Sequence, residues 1–188
     1  MEMMEAIKTR RSIRKYKTTP INDELLETVL EAARWAPSWA NTQCWRFIVV
    51  RDSRIKDELA DTLGRDNYSY DAAKKAPIVI VACAELGKSG YTQGTSATDK
   101  GDWFMFDVAL AMQNLALAAH SMGLATVHVG RFDAKQAEAI LGVPKGFCIV
   151  EIMPLGYPDQ ERDPRPRKEL SEIVFWDRFG VRAADKGL

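Results

Sequence analysis

The chain has 188 residues, of which 46% are hydrophobic and 28% charged, as in an ordinary globular protein, so a single domain over residues 1–188 is predicted. Its 26 basic and 26 acidic side chains cancel, which argues against nucleic acid as the main partner. No apolar run approaches the roughly 20 residues that span a bilayer, so no membrane association is expected.

Helical patterns dominate the first 37 residues. The segment MEMMEAIKTRR, residues 1–11, predicts a first helix. Apolar residues that recur at every fourth position from Ile21 to Ala33 predict a second helix, with Asn22 as its N-cap. Pro37 stands where that helix must end, because proline cannot continue a helix.

The next segment combines β-rich and helical runs. RFIVVRD, residues 46–52, predicts a strand, and SRIKDELADTLG, residues 53–64, predicts a helix with Ser53 as its N-cap. PIVIVACA, residues 77–84, is apolar without alternation, which predicts a strand covered by helices on both faces. The polar segment 85–101 is long for a connection and predicts a functional flap or partial disorder.

The longest helical pattern covers residues 102–122 and ends at Gly123. It is apolar nearly all round, which is typical of a helix buried in a core or an interface. A strand is predicted at 125–130, a short helix at 133–142 and a further strand at 146–156.

Motifs for chemistry performed by side chains are missing from the sequence. The tripeptide GKS at 87–89 lacks the earlier glycine of a P-loop, since Ala82 occupies that position, and neither GxGxxG nor GxSxG occurs. His120 and His128 have no acidic or cysteine partner at a ligand spacing, so a packing or surface role is predicted rather than a metal site. If the protein is an enzyme, a cofactor is expected to perform the difficult step.

The three cysteines, Cys44, Cys83 and Cys148, contain no CxxC spacing, so a zinc or dithiol site is not expected. An odd number of cysteines without a signal peptide predicts a reducing compartment, the cytoplasm.

Basic residues cluster near the start of this neutral chain, at Lys8, Arg10, Arg11, Arg14, Lys15 and Lys17. One interpretation is a helix C-terminus followed by a solvated edge strand. The other is that alternation brings Arg10, Ser12 and Arg14 onto one anion, because arginine suits phosphate oxygens. A second basic cluster in RDPRPRK adds Arg165, Arg167 and Lys168. A phosphate clamped between the two ends of the chain would explain why the cations are local.

Four blocks in order resemble the nitroreductase family of FMN flavoproteins. They are RRSIRKY, APSWANTQCWRFIVV, DVALAMQNLALAAHSMGLATVHVGRFD and RPRKELSEIVFWDRFG, and together they extend over nearly the whole chain. The resemblance implies an α+β fold with a central mixed β-sheet flanked by helices. It also implies an interlocked homodimer with two FMN sites at the interface, in which the long helix forms the dimer core.

The resemblance also implies the residues that hold the flavin. The phosphate would be bound by Arg10, Ser12 and Arg167, with help from Arg11 and Arg165, and Arg14 would face the pyrimidine edge of the flavin and tune it. Pro37, Ser38, Trp39 and Asn41 would reach the flavin from the other subunit, and Gly130 and Arg131 would direct backbone N–H groups near flavin N5. No side chain is implied as a catalytic acid, base or nucleophile.

The activity implied is ping-pong transfer of hydride or electrons from NADH or NADPH to a nitroaromatic, quinone or similar electron-poor acceptor. Two alternatives stay open: a specialised flavin enzyme, such as a reductive dehalogenase or ene reductase, and a non-catalytic flavin-binding protein. The chain departs from the family pattern at Cys44, where proline is usual, and at His128, where a bulky residue is common. Phe175, Trp176 and Phe179 are expected to pack on another surface, such as a second subunit.

Overall fold

The computed structural model describes residues 1–182, and positions 183–188 of the predicted single domain lie outside the described residues. The helices are α1 Met3–Thr9, α2 Asp23–Arg34, α3 Ser53–Leu63, α4 Tyr70–Lys75, α5 Phe104–Ser121, α6 Ala134–Leu141 and α7 Leu170–Ile173. The strands are β1 Trp45–Val50, β2 Ile78–Glu85, β3 Tyr91–Thr92, β4 Thr95–Ser96, β5 Ala125–Thr126 and β6 Phe147–Gly156. No helix within residues 1–182 has the length and apolar character that crossing a membrane requires.

One four-stranded sheet forms the centre of the fold, in the order β1-β2-β6-β5. Its three strand pairs are antiparallel, and the parallel component is one bridge between Ser12 and Thr126. Strand β2 is buried from Ile78 to Ala84, and its alternate side chains enter two separate apolar clusters. The prediction that helices cover both faces of this strand is confirmed.

Helix α5 supplies much of the first cluster, because its inner face carries Val108, Met112 and Leu115, all fully buried against the sheet and α2. Its outer face is also apolar, with Met105 57% and Phe106 55% exposed in the single chain. The all-round apolar pattern is therefore explained by two surfaces, one inside the core and one facing outward.

Of two N-cap residues predicted from the sequence, one is confirmed and one is wrong. The side chain of Asn22 accepts a hydrogen bond from the backbone N–H of Leu25, as its predicted capping role requires. The prediction of Ser53 as the cap of α3 is wrong: Asp52 is the N-cap, and its carboxylate accepts from the N–H groups of Arg54 and Ile55. A carboxylate reaches these donors and also favours the positive end of the helix dipole.

Three parts of the secondary structure differ from the prediction. The predicted strand 125–130 is shortened to β5, although Val129 still bridges Ile152 of β6. The segment 85–101 contains the β3–β4 hairpin, which the sequence did not indicate. The helix α4 was also not predicted from the sequence.

The segment after α1 is not a regular edge strand. Ile13 and Tyr16 are both buried although they lie three positions apart, and the hydroxyl of Tyr16 donates to the carbonyl of Ile13 at 2.5 Å. The edge strand of the first interpretation and the strict alternation used by the second are therefore both wrong, because this segment bridges Thr126 and then Pro158 instead of one continuous partner. Arg10, Ser12 and Arg14 nevertheless line one cleft.

Backbone hydrogen bonds join the start of the chain to the beginning of its tail. The N–H of Lys17 donates to the carbonyl of Tyr157, and the N–H of Asp159 donates to the carbonyl of Lys15, both at 2.9 Å. The residues that follow Asp159 therefore begin beside Arg14. This pairing brings two basic segments that are distant in sequence to one side of the sheet.

Candidate active site

A cleft of about 250 Å³ lies where the two ends of the chain meet. It is lined by Arg10, Arg11, Ser12, Arg14, Arg162, Asp163, Arg165 and Arg167. Every residue that the resemblance implied for the phosphate is among them. Arg162 and Asp163 were not singled out, although the basic composition of RDPRPRK already pointed to this segment.

Unpaired donors in the cleft fit an anionic ligand. Arg10 Nη1 and Arg11 Nε are buried and have no hydrogen-bond partner within the described chain. Burial, followed by the charges of Arg11 and Arg167, lowers the pKa of Arg10 from its ordinary value. A buried donor without a partner costs about 1–3 kcal/mol, and more when it is charged, so a phosphate here satisfies groups that the protein leaves open.

Arg11 and Arg167 also contact the backbone. Arg11 Nη1 donates to the carbonyls of Lys8 at 2.6 Å and Arg10 at 2.9 Å, which satisfies part of the C-terminus of α1. Arg167 Nη1 lies 3.4 Å from the carbonyl of Arg165. Arg11 therefore supports the local backbone as well as lining the cleft.

A chain of hydrogen bonds connects Arg14 with Arg131. Arg14 Nε donates to Ser69 Oγ at 3.2 Å, and the backbone N–H of Ser69 donates to Asn67 Oδ1 at 2.9 Å. Asn67 Nδ2 in turn donates to the carbonyl of Arg131 at 2.9 Å. Asn67 and Ser69 thus fix the Arg14 guanidinium relative to the loop that carries Gly130, and sequence reasoning missed both.

Gly130 and Arg131 lie at the start of the loop that leads into α6. The Arg131 guanidinium is exposed and contacts Asp66 at 2.9 Å, so this side chain points to solvent. Gly130 is exposed, and a Cβ added there would meet no atom within 4 Å. Gly130 therefore leaves open space beside the backbone of this loop, as donation of an N–H group to a ligand would require.

The predicted flavin loop, Pro37 to Asn41, lines a different cleft from the arginines. Pro37, Ser38 and Trp39 line a space of about 340 Å³ together with Trp103, Phe106, Asp107 and Leu110. Asn41 is exposed next to it, and its Oδ1 accepts from Gln43 Nε2 at 3.1 Å. Within one chain, these two sets of predicted residues therefore do not meet in a single cleft.

Asp107 anchors this loop from the first turn of α5. Its carboxylate is 1% exposed and accepts the backbone N–H of Trp39 at 3.1 and 3.2 Å, and Cys44 Sγ donates to it at 3.7 Å. The loop carries three non-glycine residues with positive φ, namely Ala40, Asn41 and Gln43. Such conformations persist only when surrounding contacts impose them, and Asp107 supplies such contacts.

Replacing Asp107 with alanine is expected to lower the free energy of unfolding by about 1–3 kcal/mol, because the part-buried N–H of Trp39 loses its acceptor. Asp107→Asn keeps one carbonyl oxygen toward that N–H and should cost less. Urea denaturation followed by circular dichroism measures both variants. Equal stability of the alanine variant and the wild type would remove Asp107 as the anchor.

The segment 85–101 packs closely on the aromatic side of this cleft. Trp103 Nε1 donates to Thr98 Oγ1 at 2.9 Å, and the backbone N–H of Trp103 donates to the carbonyl of Ser89 at 3.0 Å. Gly90 has φ of 81°, and a Cβ there would lie 2.6 Å from the Trp103 ring, so glycine is required. The ring of Trp103 lies 5.4 Å from that of Trp39.

The residues that depart from the family pattern have clear environments. Burial, followed by the charge of Asp107, raises the pKa of Cys44 to about 12, so this thiol stays protonated at neutral pH. His128 Nδ1 lies 3.0 Å from Glu151 Oε2, so it has an acidic partner that the sequence spacing did not reveal. The other histidine, His120, is not one of these residues, and its Nε2 lies 2.8 Å from Thr9 Oγ1.

Comparisons with known proteins agree with this architecture. The model of the family described as Nitroreductase matches residues 7–157. A protein of Methanothermobacter thermautotrophicus, provisionally named an NADH dehydrogenase/NAD(P)H nitroreductase, is 34% identical over 88% of this chain and 82% of its own length.

Two solved structures share the fold. The Vibrio harveyi NADPH:FMN oxidoreductase in complex with NAD⁺ has a TM-score of 0.79 and 29% identity, over 97% of this chain and 80% of that one. An FMN-dependent nitroreductase of Clostridium difficile has a TM-score of 0.78 and 27% identity, over 94% of this chain and 99% of that one. The match to the family model covers well over half of the chain and includes Arg10 and the loop at Trp39. The chain therefore belongs to the nitroreductase family.

Proposed function

We propose that this protein is an NAD(P)H-dependent FMN oxidoreductase that passes electrons to nitroaromatic, quinone or related electron-poor acceptors. The observation that carries the proposal is the convergence of arginines from both ends of the chain on one cleft, where Arg10 Nη1 and Arg11 Nε are buried without partners. The family and the FMN-dependent relatives support the same cofactor. The phosphate of FMN has the charge and the acceptor oxygens that such donors require.

The remaining residues act by position and charge. FMN, when bound, supplies the hydride transfer between nicotinamide and acceptor. Ser12 adds a hydroxyl to the arginines around the phosphate. Gly130 and Arg131 present accessible backbone, and the Arg14 guanidinium, held by Ser69, provides a fixed positive charge that stabilises negative charge on a reduced ligand without reorganisation.

A homodimer is part of the proposal. The outer face of α5 carries Met105 and Phe106 largely exposed, and Phe179 in the tail is 92% exposed in the single chain. Large apolar side chains exposed in this way favour an interaction site. A second copy that covers α5 would also bring its own loop at Trp39 toward the arginine cleft, which explains why the two predicted sets of flavin contacts are separate within one chain.

The cellular location proposed is the cytoplasm, in agreement with three free cysteines, Cys44, Cys83 and Cys148.

The direct test of the function is anaerobic titration of the purified protein. Retained FMN gives a yellow protein whose absorbance near 450 nm is expected to bleach on addition of NADPH or NADH, at roughly one coenzyme per flavin, as a two-electron step requires. A nitroaromatic or quinone should then restore the colour, with ping-pong kinetics in the steady state. Protein that takes up no FMN when reconstituted would refute the proposal.

Two other outcomes separate the alternatives. Retained flavin that neither coenzyme bleaches would identify a non-catalytic flavin-binding protein. Faster turnover of a halophenol or an enone than of a nitroaromatic would identify a specialised flavin enzyme.

Replacing Arg14 with alanine is expected to slow anaerobic flavin reduction by about tenfold or more, because a fixed charge that favours the reduced state is lost. Arg14→Lys retains the charge but loses the fork that reaches Ser69, so an intermediate rate is expected. Stopped-flow absorbance measures both rates at saturating coenzyme. An unchanged rate in the alanine variant would exclude Arg14 from the reaction.

A further inference from the structure

The arginine cleft contains more positive charge than one phosphate monoester requires. Six guanidinium groups line it, opposed by the single carboxylate of Asp163. A phosphate monoester carries about two negative charges at neutral pH, so about three positive charges stay unmatched when FMN is bound. Unbalanced cations at close range repel one another, so a second anion would stabilise this arrangement.

The arginines fall into two groups by their mutual influence. After burial, the charges of Arg11 and Arg167 contribute most to lowering the pKa of Arg10. For Arg14, the lowered pKa is due to burial and then to Arg162 and Arg165. One group therefore lies around Arg10 and the other around Arg14. Arg165, expected to help at the FMN phosphate, falls in the second group and lines both clefts.

A second cleft, of about 370 Å³, opens on the side of the second group. It is lined by Arg14, Lys15, Tyr68, Asp71, Gln160, Arg162 and Arg165, of which Arg14, Arg162 and Arg165 also line the first cleft. Gln160 lines this cleft and a neighbouring one, and its buried Nε2 has no hydrogen-bond partner within the described chain, whereas Tyr68 is 92% exposed. Asp71 pairs with Lys75 at 3.2 Å, which offsets its negative charge.

We infer that Lys15, Arg162 and Arg165 bind the 2′-phosphate of NADPH, so that the protein uses NADPH in preference to NADH. The inference deepens the proposed function and rests on it, since it names the coenzyme of the same site. NADPH and NADH differ only in this phosphate, and the relatives' names include both coenzymes and do not decide between them. The positive charge of the second cleft favours NADPH, the coenzyme with the additional phosphate.

The chemistry of the lining matches an adenosine phosphate. Guanidinium forks bind phosphate oxygens in pairs, and the ammonium group of Lys15 adds a third source of donors. The free amide N–H of Gln160 can donate to a phosphate or ribose oxygen. The exposed ring of Tyr68 offers a flat surface on which a purine can stack.

The kinetic test compares kcat/KM for NADPH and NADH in the FMN-loaded protein. We expect NADPH to be favoured in the wild type by about ten- to a hundredfold, the effect of one or two charge-assisted phosphate contacts. Lys15→Ala and Arg162→Ala should each lower that ratio by about tenfold. Arg54→Ala, which removes an exposed arginine that lines neither cleft, is the matched control and should preserve the ratio.

A binding test does not depend on turnover. Calorimetry of the FMN-loaded protein should show adenosine 2′,5′-bisphosphate binding at least about tenfold more tightly than adenosine 5′-monophosphate, and Arg162→Ala should abolish the difference. Equal affinities for the two nucleotides, or equal kcat/KM for the two coenzymes, would overturn the inference while leaving the proposed function intact. Protein that binds the bisphosphate selectively but is bleached by neither coenzyme would refute the proposed function and uphold this site.

Discussion

The double variant Arg10→Ala, Arg167→Ala is expected to lose FMN during purification. In the proposed site, each arginine would contribute charge-assisted hydrogen bonds to the phosphate, worth about 1.5–3 kcal/mol. Removal of both therefore costs about 3–6 kcal/mol, which raises the Kd for FMN by about a hundred- to ten-thousandfold. The measured change in Kd also includes the repulsion between the two cations. The variant lacks this repulsion, which stabilises its FMN-free state.

Riboflavin makes this prediction specific, because it has the isoalloxazine and ribityl parts of FMN without the phosphate. The Kd for riboflavin, measured by quenching of flavin fluorescence, should change by less than about threefold in the double variant, because no phosphate contact is involved. The ratio of the two affinities therefore isolates the phosphate contacts from any general damage to the fold. Arg54→Ala is the control for a lost surface arginine. If the double variant binds FMN as tightly as the wild type, the phosphate lies elsewhere.

The arginine cleft was accessible to sequence reasoning for a physical reason. Six cations within positions 8–17 of a neutral chain favour a local anionic partner, and a second basic cluster in the tail offers the other half of a clamp. The pairing that joins them, between Lys17 and Tyr157 and between Lys15 and Asp159, is a matter of long-range register. Register between distant segments is not encoded in local composition, so the resemblance to a family was needed to pair them.

The supporting residues were not predictable in the same way. Ser69 and Asn67 lie in a polar loop whose composition indicates only a turn, and their contacts to Arg14 and Arg131 follow from packing. In the sequence, Asp107 is an acidic residue near the start of a predicted helix, where acidic residues are common because they favour the helix dipole. Only the fold shows that the backbone N–H of Trp39 reaches it.

The histidines illustrate the limit of spacing arguments. Glu151 is 23 positions from His128 in the chain, beyond any local spacing. Val129 and Ile152 form an antiparallel bridge. His128 and Glu151 each precede a bridged residue, so both side chains lie on the opposite face from that pair, as diagonal neighbours. A sheet contact of this kind becomes visible only when strand pairing is known.

Ala109→Glu is expected to convert the proposed dimer to a monomer. Ala109 is exposed on the outer face of α5, between Phe106 and Gln113, so the change leaves the core of the single chain untouched. Burying an unpaired carboxylate in an interface costs several kcal/mol, and a symmetric dimer would bury two of them. The dimer Kd should therefore rise by more than about a thousandfold.

Sedimentation velocity at micromolar concentration measures this shift, and circular dichroism confirms that the helices are retained. Ala139→Glu is the matched control, because Ala139 is likewise an exposed alanine on a helix, α6, that the proposed interface does not use. If the loop at Trp39 reaches the flavin from the second copy, the Ala109 variant should also release FMN although its own arginine cleft is intact. A monomer that retains FMN at full affinity would show that one chain builds the whole site, and a variant that stays dimeric would place the interface away from the outer face of α5.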